Sequence, residues 1–289
     1  MADTNFENEI LDKYGTDYGD LLRSSIVTTF ANINDDDEDI TSSPTFEKSE
    51  FLKPDDIETF LRERKTEFTI LSMNVNSIAK KKDELSILVE SLLSKNIGFS
   101  VITLQECRIT KEQVEKIACD AFKIPGYEMF PQGSICAPTG GLITYVRNDF
   151  NATEMPSLYT YSSIFEAQFT EISGPLIKNK ITVGNVYRRP KQNENIPLMT
   201  QFISQLRPIV NKLRKENSFS VLAGDYNLNL LKVGDVTAYS DFFEFMTSKD
   251  FIPMITLPTR FDKKSCSLLD HIWVNKPIKG TLDTAKLSS

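Results

Sequence analysis

Short apolar segments separated by amphipathic ones limit the fold of this chain more than any other feature of its sequence. The runs at 68–75, 99–104 and 219–223 predict buried strands. The apolar residues between positions 85 and 93 recur at the spacing of one helix face. Because helices intervene between most of the strands, the pattern indicates an α/β or α+β protein. Two sheets covered by helices are one architecture that satisfies it.

The other elements are predicted from the same patterns. Further strands are expected at 140–146, 164–172, 181–187 and 267–274, and further helices at 111–121, 196–215 and 238–248. Gly174 and Pro175 predict a hairpin between two of these strands. We expect Pro208 to bend or interrupt the helix that contains it, because proline has no amide N–H to donate.

Charge divides the 289 residues into two parts. Residues 1–66 hold 17 acidic and 7 basic side chains, whereas residues 67–289 hold 23 acidic and 26 basic ones. Like charges repel one another in an acidic run at 35–39, so we expect an N-terminal segment, 1–66, that is mostly flexible, and a folded domain, 67–289. The acidic run lacks the alternating ligands and the glycine of a calcium loop. The mildly basic domain is compatible with a phosphate-bearing partner.

Several classes of protein are excluded by the sequence. No apolar run approaches the roughly 20 residues that cross a bilayer, and residues 1–10 are acidic and polar, unlike a secretory signal. We therefore expect no membrane partner, a location in the nucleus or cytoplasm rather than secretion, and reduced cysteines. The four cysteines show no C-x-x-C spacing and there is a single histidine, so a zinc site is not expected.

Polar side chains stand where the predicted strands end. They are Asn74, Glu106, Tyr187, Asp225 with Asn227, and Asp270. In layered α/β proteins, ligands bind at strand ends, where loops converge on a rigid frame. Taken singly, each residue has an ordinary structural explanation, such as a turn former, a helix cap or a half-buried tyrosine. The functional signal comes from the ordered set.

The residue types in this set indicate a particular chemistry. Carboxylate and amide oxygens suit Mg²⁺ or Mn²⁺ rather than zinc, and such an ion keeps positions for water and substrate phosphate. A second carboxylate can accept a proton from water, while a tyrosine hydroxyl and an asparagine amide can donate hydrogen bonds to non-bridging oxygens. The implied reaction is the hydrolysis of a phosphate ester.

Five short motifs in this order resemble those of the endonuclease/exonuclease/phosphatase superfamily. They are Ser72-Met73-Asn74-Val75-Asn76-Ser77, Leu104-Gln105-Glu106, Val186-Tyr187, Gly224-Asp225-Tyr226-Asn227 and Leu269-Asp270-His271-Ile272. The resemblance implies an α/β fold, a four-layered α/β sandwich of two mixed sheets flanked by helices. Within the superfamily, the chain is most similar to the apurinic-type endonuclease domain of LINE-type, non-LTR retrotransposons. That similarity is carried by Val186-Tyr187-Arg188-Arg189-Pro190, by the residues from Gly224 to Leu231, and by Pro258-Thr259-Arg260.

The resemblance also implies a role for each residue and a set of partners. Glu106 would be the principal ligand of Mg²⁺ or Mn²⁺, with Asn74 beside it, and Tyr187 would hydrogen-bond the scissile phosphate. Asp225 would orient or deprotonate the attacking water, Asn227 would position Asp225 and the phosphate, and Asp270 would support a catalytic histidine. We expect Arg188 and Arg189, an exposed basic pair, to meet the phosphates of DNA. Element RNA and a reverse transcriptase region would be further partners in a longer polyprotein.

This sequence departs from one motif of the superfamily. Its members carry Ser-Asp-His on a final strand, and this chain stops at Leu287-Ser288-Ser289, about where Asp-His would follow. His271 neighbours Asp270 on a predicted strand, so its side chain should face the opposite side and serve packing. We therefore expect a sandwich that lacks its last strand, with an unpaired sheet edge and an impaired site.

Three functions remain open at this point. The first is a metal-dependent DNA-nicking endonuclease. The second is another phosphoesterase of the same superfamily: an abasic-site repair nuclease, a sphingomyelinase or an inositol-phosphate phosphatase. The third is an inactive remnant that acts as a binding module through its acidic N-terminal segment.

Overall fold

The computed structural model describes residues 25–30, 50–52, 56–116, 118–136, 138–190, 195–216, 218–262, 265–275 and 284–287. In these ranges the strands are β1 (Ser25–Phe30), β2 (Glu50–Leu52), β3 (Phe68–Asn74), β4 (Val101–Gln105), β5 (Tyr127–Gln132), β6 (Leu142–Arg147), β7 (Asn151–Glu154), β8 (Thr160–Tyr161), β9 (Phe165–Gly174), β10 (Ile177–Arg188), β11 (Phe219–Asp225), β12 (Ile252–Pro253), β13 (Arg260–Asp262), β14 (Ser265–Ser267), β15 (Asp270–Val274) and β16 (Thr284–Leu287). The α-helices are α1 (Ile57–Glu63), α2 (Ile78–Ser94), α3 (Lys111–Glu115), α4 (Ile196–Lys215) and α5 (Thr237–Thr247).

The strands form two mixed sheets. The first has the order β2-β16-β1-β3-β4-β6-β5, with β3 and β4 parallel and β1 antiparallel to β3. The second has the order β12-β15-β11-β10-β9-β7, with β10 and β11 parallel and β15 antiparallel to β11. Strands β13 and β14 form a separate two-stranded hairpin.

Three apolar layers hold the two sheets and the helices together. Residues from both sheets, such as Ile70 and Val221, are fully buried in one cluster between them. A second cluster packs α1 and α2 against the outer face of the first sheet, and a third packs α4 and α5 against the outer face of the second. The order helix, sheet, sheet, helix confirms the expected four-layered α/β sandwich of two mixed sheets.

The strands at the centre of the sandwich are buried along almost their whole length. Every residue of β4 and β11 is buried, as are the first six residues of β3. Apolar side chains can face both ways there because each sheet is covered on both faces. This explains why the sequence shows continuous apolar runs at these strands instead of alternation.

The helix expected to be broken by proline is continuous. Helix α4 runs from Ile196 to Lys215 through Pro208, which lies on its exposed side. Seven buried residues lie along the opposite face: Met199, Phe202, Ile203, Leu206, Ile209, Val210 and Leu213. Their packing against the second sheet keeps the two halves of the helix together despite the missing N–H. The expected interruption is therefore wrong.

The predicted boundary at residue 66 also needs correction. Strand β1 pairs with β3 through six residue pairs, and β16 and β2 extend the first sheet beyond β1. Ile26 and Val27 are fully buried, and α1 buries Phe60 and Leu61. The net charge of residues 1–66 did not indicate these elements, because a strand or a helix face can be buried through only a few apolar side chains. The acidic run at 35–39 lies outside the described residues.

Across the described part of the chain, every helix is too short or too polar to span a bilayer.

Candidate active site

The ends of three strands meet at one end of the sandwich. Asn74 ends β3 in the first sheet, Glu106 directly follows β4, and Asp225 ends β11 in the second sheet. The Asn74 Nδ2 donates hydrogen bonds to Glu106 Oε1 at 2.7 Å and to Asp225 Oδ2 at 2.8 Å. One amide therefore joins two carboxylates that belong to different sheets, and the residues expected to share a cleft do share it.

The backbone around Glu106 is held in an unusual conformation. Glu106 has a φ of 52°, in the left-handed region, as have Asn76 at 45° and Arg108 at 56°. Backbone hydrogen bonds fix this turn on both sides, from Ser77 N to Glu106 O at 2.8 Å and from Arg108 N to Gly140 O at 2.7 Å. Such strain concentrates at functional sites, where the surrounding structure over-determines a side-chain direction. Here it aims the Glu106 carboxylate at Asn74.

Asp225 is fixed from three sides. Its Oδ1 accepts the backbone N–H of Asn227 at 3.0 Å, while its Oδ2 accepts Asn74 and the Arg260 Nη2, the latter at 2.6 Å. Burial raises the pKa of Asp225 above its ordinary value, and the nearby Asp270 adds to the increase, whereas Arg260 and Asn74 oppose it. A raised pKa makes a carboxylate a better proton acceptor.

Gly224 allows this arrangement by its lack of a side chain. Its φ is 152°, and a Cβ atom there would lie 1.9 Å from the carbonyl oxygen of Val186. Strands β10 and β11 can therefore approach closely just before Tyr187 and Asp225, which are register partners. The close approach places the tyrosine beside the carboxylate.

Tyr187 and Asp270 complete the cluster. Burial raises the pKa of Tyr187 above its ordinary value, and Glu106 and Asp225 raise it further, so the phenol is neutral and donates a hydrogen bond to Glu106. Asp270 is the register partner of Asp225 and is buried. Its backbone N–H donates to the Thr259 Oγ1 at 3.1 Å, which ties β15 to the residue before Arg260.

Asn227 lies beside the carboxylates but directs its side chain elsewhere. Its Nδ2 donates to the carbonyl oxygen of Arg188 at 2.7 Å, and its φ is 49°. This bond ties the loop after β11 to the end of β10. In this arrangement Asn227 holds Asp225 through its backbone N–H.

Arg188 and Arg189 are not the exposed basic pair that the sequence suggested. Arg188 is fully buried beneath α4, with its guanidinium carbon 5.2 Å from the centre of the Phe202 ring. Arg189 is 8% exposed and forms a buried ion pair with Glu166 at 2.5 Å. Successive residues of a strand face opposite sides, and both sides of β10 are covered here. The expectation that both arginines meet DNA phosphates is therefore corrected.

His271 has a packing role, as expected. It is 1% exposed, stacks on the Tyr226 ring at 4.8 Å between centroids, and places its Nε2 2.9 Å from the carbonyl oxygen of Leu228. Burial lowers its pKa to about 4, so the ring is neutral at physiological pH. It faces away from Asp270 because the two residues are adjacent on β15.

Several contributors were missed by the sequence analysis. Thr259 and Arg260 lie in the Pro258-Thr259-Arg260 motif, which by itself did not indicate a role for either residue. Behind the carboxylates, the Gln105 Nε2 donates to the Asn185 Oδ1 at 2.8 Å, linking the two sheets in their interior. A glutamine and an asparagine inside apolar strands were the available signal, since buried amides require partners.

The oxygen donors of the cleft fit a hard divalent ion. Asn74 directs its amide nitrogen, not its oxygen, at the two carboxylates, and its Oδ1 accepts the N–H of Asn76 at 3.0 Å. In this arrangement Asn74 holds Glu106 and Asp225, and its role as a metal ligand beside Glu106 stays a prediction. Among the described residues, no three His, Cys, Asp or Glu side chains form a dedicated metal cage. Mg²⁺ commonly needs only one or two carboxylates plus substrate phosphate and water, so Glu106 meets this requirement.

Comparison with known proteins identifies the family. A sequence profile of the endonuclease/exonuclease/phosphatase family matches residues 71–282. The chain belongs to this family. It carries the phosphoesterase and nuclease fold of the endonuclease/exonuclease/phosphatase proteins, whose hydrolases act on phosphodiester bonds.

Two solved structures illustrate the shared fold. AP endonuclease LMAP from Leishmania major is 15% identical, with a TM-score of 0.55, and the match covers 72% of this chain and 79% of that protein. The APE2 catalytic domain from Xenopus laevis is 17% identical, with a TM-score of 0.52 and coverage of 72% and 82%. At these identities the likeness concerns the fold. No curated protein sequence matches the chain.

Proposed function

We propose that this protein is a DNA endonuclease of LINE-type retrotransposon origin that nicks duplex DNA with Mg²⁺ or Mn²⁺. The observation that carries the proposal is the meeting of Glu106 and Asp225 at the single amide of Asn74, with Tyr187 bonded to the same cluster. Nucleases of the family generally use divalent metal ions, which agrees with the oxygen donors of the cleft. The retrotransposon assignment is supported by the motifs around Tyr187, Asp225 and Arg260.

The side chains account for each part of the proposed hydrolysis. Water attacks the phosphorus, a new P–O bond forms, and the P–O3′ bond breaks to leave a 3′-hydroxyl and a 5′-phosphate. Asp225 orients the water and accepts its proton, and the departing 3′-oxygen takes a proton from solvent. Tyr187 donates a hydrogen bond to a non-bridging oxygen. A divalent ion held by Glu106 would neutralise charge on the phosphate and the leaving oxygen.

The proposed partners follow from this product. Duplex DNA is the substrate, and the 3′-hydroxyl exposed by the nick would prime reverse transcription. Element RNA and a reverse transcriptase region are partners if the chain is part of a longer polyprotein. The two AP endonuclease structures share the fold, which supports DNA as the proposed substrate.

A plasmid assay tests the proposal. Purified protein should convert supercoiled plasmid to the nicked form with Mg²⁺ and stop when EDTA is added. Glu106→Gln should lower the rate by at least about 1,000-fold, since members of a catalytic set act together. Glu244→Gln is the matched control, because Glu244 is exposed on α5 at the outer face of the second sheet. Equal nicking by the wild type and Glu106→Gln would exclude the proposed site.

The second candidate is an abasic-site nuclease, favoured by the AP endonuclease structures that share the fold. Comparing plasmid, an abasic oligonucleotide and the small phosphoesters sphingomyelin and inositol phosphate separates these activities. A rate on abasic DNA far above that on plasmid would favour repair. No Mg²⁺ binding by calorimetry, together with no turnover on any substrate, would favour an inactive binding module.

A further inference from the structure

Arg260 is a cation placed directly among the carboxylates of the cleft. It begins the hairpin of β13 and β14, and its Nη2 lies 2.6 Å from Asp225 Oδ2 and 3.7 Å from Asp270 Oδ1. Its neighbour Thr259 is anchored to β14 and β15. Its own N–H donates to Ser267 O at 2.8 Å, and its hydroxyl accepts the N–H of Asp270 at 3.1 Å. The backbone of Arg260 is therefore fixed relative to Asp225.

The ion pair leaves part of the guanidinium without a partner. A guanidinium has five N–H donors, and its bond to Asp225 uses Nη2. The Nε of Arg260 is buried and makes no hydrogen bond within the described structure. The side chain as a whole is 36% exposed, so part of it faces solvent. Buried donors are rarely left unpaired, and a guanidinium with spare donors matches the planar oxygens of a phosphate.

The charges in the cleft also favour a contact between Arg260 and the phosphate. Glu106, Asp225 and Asp270 place up to three negative charges in one cleft, and a phosphodiester adds a fourth. An ion of charge +2 and one arginine would offset the three carboxylates, whereas the ion alone would leave the phosphate repelled. Arg188 and Arg189 cannot supply this charge at the phosphate, because one lies beneath α4 and the other is paired with Glu166.

We propose that Arg260 binds a non-bridging oxygen of the scissile phosphate while its Nη2 stays bonded to Asp225. This inference rests on the proposed function and names a catalytic residue that the motifs alone did not assign. The contact strengthens as charge builds on the phosphate oxygens during attack. Asp225 then orients the attacking water with one part of its carboxylate and positions the Arg260 guanidinium through its Oδ2.

Rate measurements under single turnover test the contact. Arg260→Ala should lower the nicking rate by about 100-fold or more, the loss typical of a removed charge-stabilising donor. Arg260→Lys keeps the charge but lacks the planar fork, so we expect about a 10-fold loss. Arg207→Ala, at a residue stacked on Phe245 outside the second sheet, is the charge-matched control and should nick like the wild type.

Sulfur substitution separates a phosphate contact from a merely structural role. Replacing one non-bridging oxygen by sulfur, in each stereoisomer, should slow the wild type at the position that Arg260 contacts. Arg260→Ala should show little further slowing at that position, because the contact is already lost. If Arg260 only neutralises Asp225 and Asp270, the sulfur effect will be the same in both proteins, and the proposal fails.

The rates of Arg260→Ala and Glu106→Gln separate the role of Arg260 from the proposed endonuclease activity. Nicking by Arg260→Ala within about threefold of the wild type, with Glu106→Gln inactive, overturns the role of Arg260 and leaves the endonuclease standing. Equal activity of the wild type and Glu106→Gln overturns both. Should Arg260→Ala fail to fold by circular dichroism, Arg260→Lys decides: a rate equal to the wild type excludes the planar contact.

Discussion

Replacing Asn74 by aspartate tests the core of the site. The substitution keeps the shape of the side chain but turns the amide nitrogen, which donates to Glu106 and Asp225, into an anionic oxygen. Two charge-assisted hydrogen bonds, each stabilising by about 1.5–3 kcal/mol, become two repulsive contacts. Asn74→Asp should therefore destabilise the metal-free protein strongly.

The size of the destabilisation follows from the repulsion between the carboxylates, and protonation limits it. Two unit charges about 4 Å apart interact by about 4 kcal/mol at an effective dielectric constant of about 20. Protonation of the new carboxyl would relieve the repulsion, at about 1.4 kcal/mol for each pH unit above its ordinary pKa of about 3.9. The two contacts together would cost about 8 kcal/mol, which exceeds the protonation limit of about 5–6 kcal/mol at about pH 8, so we expect a loss of about 5 kcal/mol in the free energy of unfolding.

Urea unfolding at that pH, with and without Mg²⁺, measures the prediction. Mg²⁺ should restore part of the lost stability, because a divalent ion offsets three clustered carboxylates. Asn76→Asp is the matched control: Asn76 is exposed, its Oδ1 already accepts Arg108, and a negative charge there is attracted. If Asn74→Asp in EDTA unfolds within about 1 kcal/mol of the wild type, the carboxylates do not converge as described.

Three further predictions concern other parts of the molecule. Arg189→Met should cost about 3–5 kcal/mol in chemical denaturation because it leaves the buried Glu166 unpaired, and adding Glu166→Gln should recover most of that loss; equal stabilities of the single and double variants would count against the pair. The pKa of His271, lowered to about 4, means that its contribution to stability is complete above about pH 6.5 and declines as the pH falls toward 4, by about 3 kcal/mol in all. His271→Gln should flatten the measured stability profile over that window, and an unchanged profile would contradict the burial argument. Tyr187→Phe should reduce nicking by about 10-fold or more with an unchanged melting temperature, since only the hydroxyl donor is lost.

Local patterns predicted most of the fold. The apolar runs that became β3, β4 and β11 are buried on both faces, so their hydrophobicity is continuous and easily seen. Elements in the first 66 residues were missed, because β1 and α1 each bury only a few side chains within an acidic segment. Their burial depends on pairing with β3 and packing on the first sheet, which no local pattern contains.

The candidate site, like the fold, was predicted only in part from the sequence. The sequence placed Glu106, Tyr187 and Asp225 at strand ends, and the structure brings them together. The sequence did not show that Arg188 and Arg189 are buried. The groups that cover them, α4 for Arg188 and the Glu166 side chain for Arg189, lie elsewhere in the chain. The direction of the Asn74 amide and the place of Arg260 likewise depend on neighbours far along the chain.

The sequence by itself determined which segments become strands and which polar residues end them, because burial and turn chemistry act over a few neighbouring residues. Only the tertiary structure decided which of those residues share charge and hydrogen bonds. Asn74 and Asp225 are 151 positions apart and meet at 2.8 Å because two separately formed sheets stack with their strand ends aligned. That alignment is a property of the packed layers, and it turns separate strand-end residues into one site.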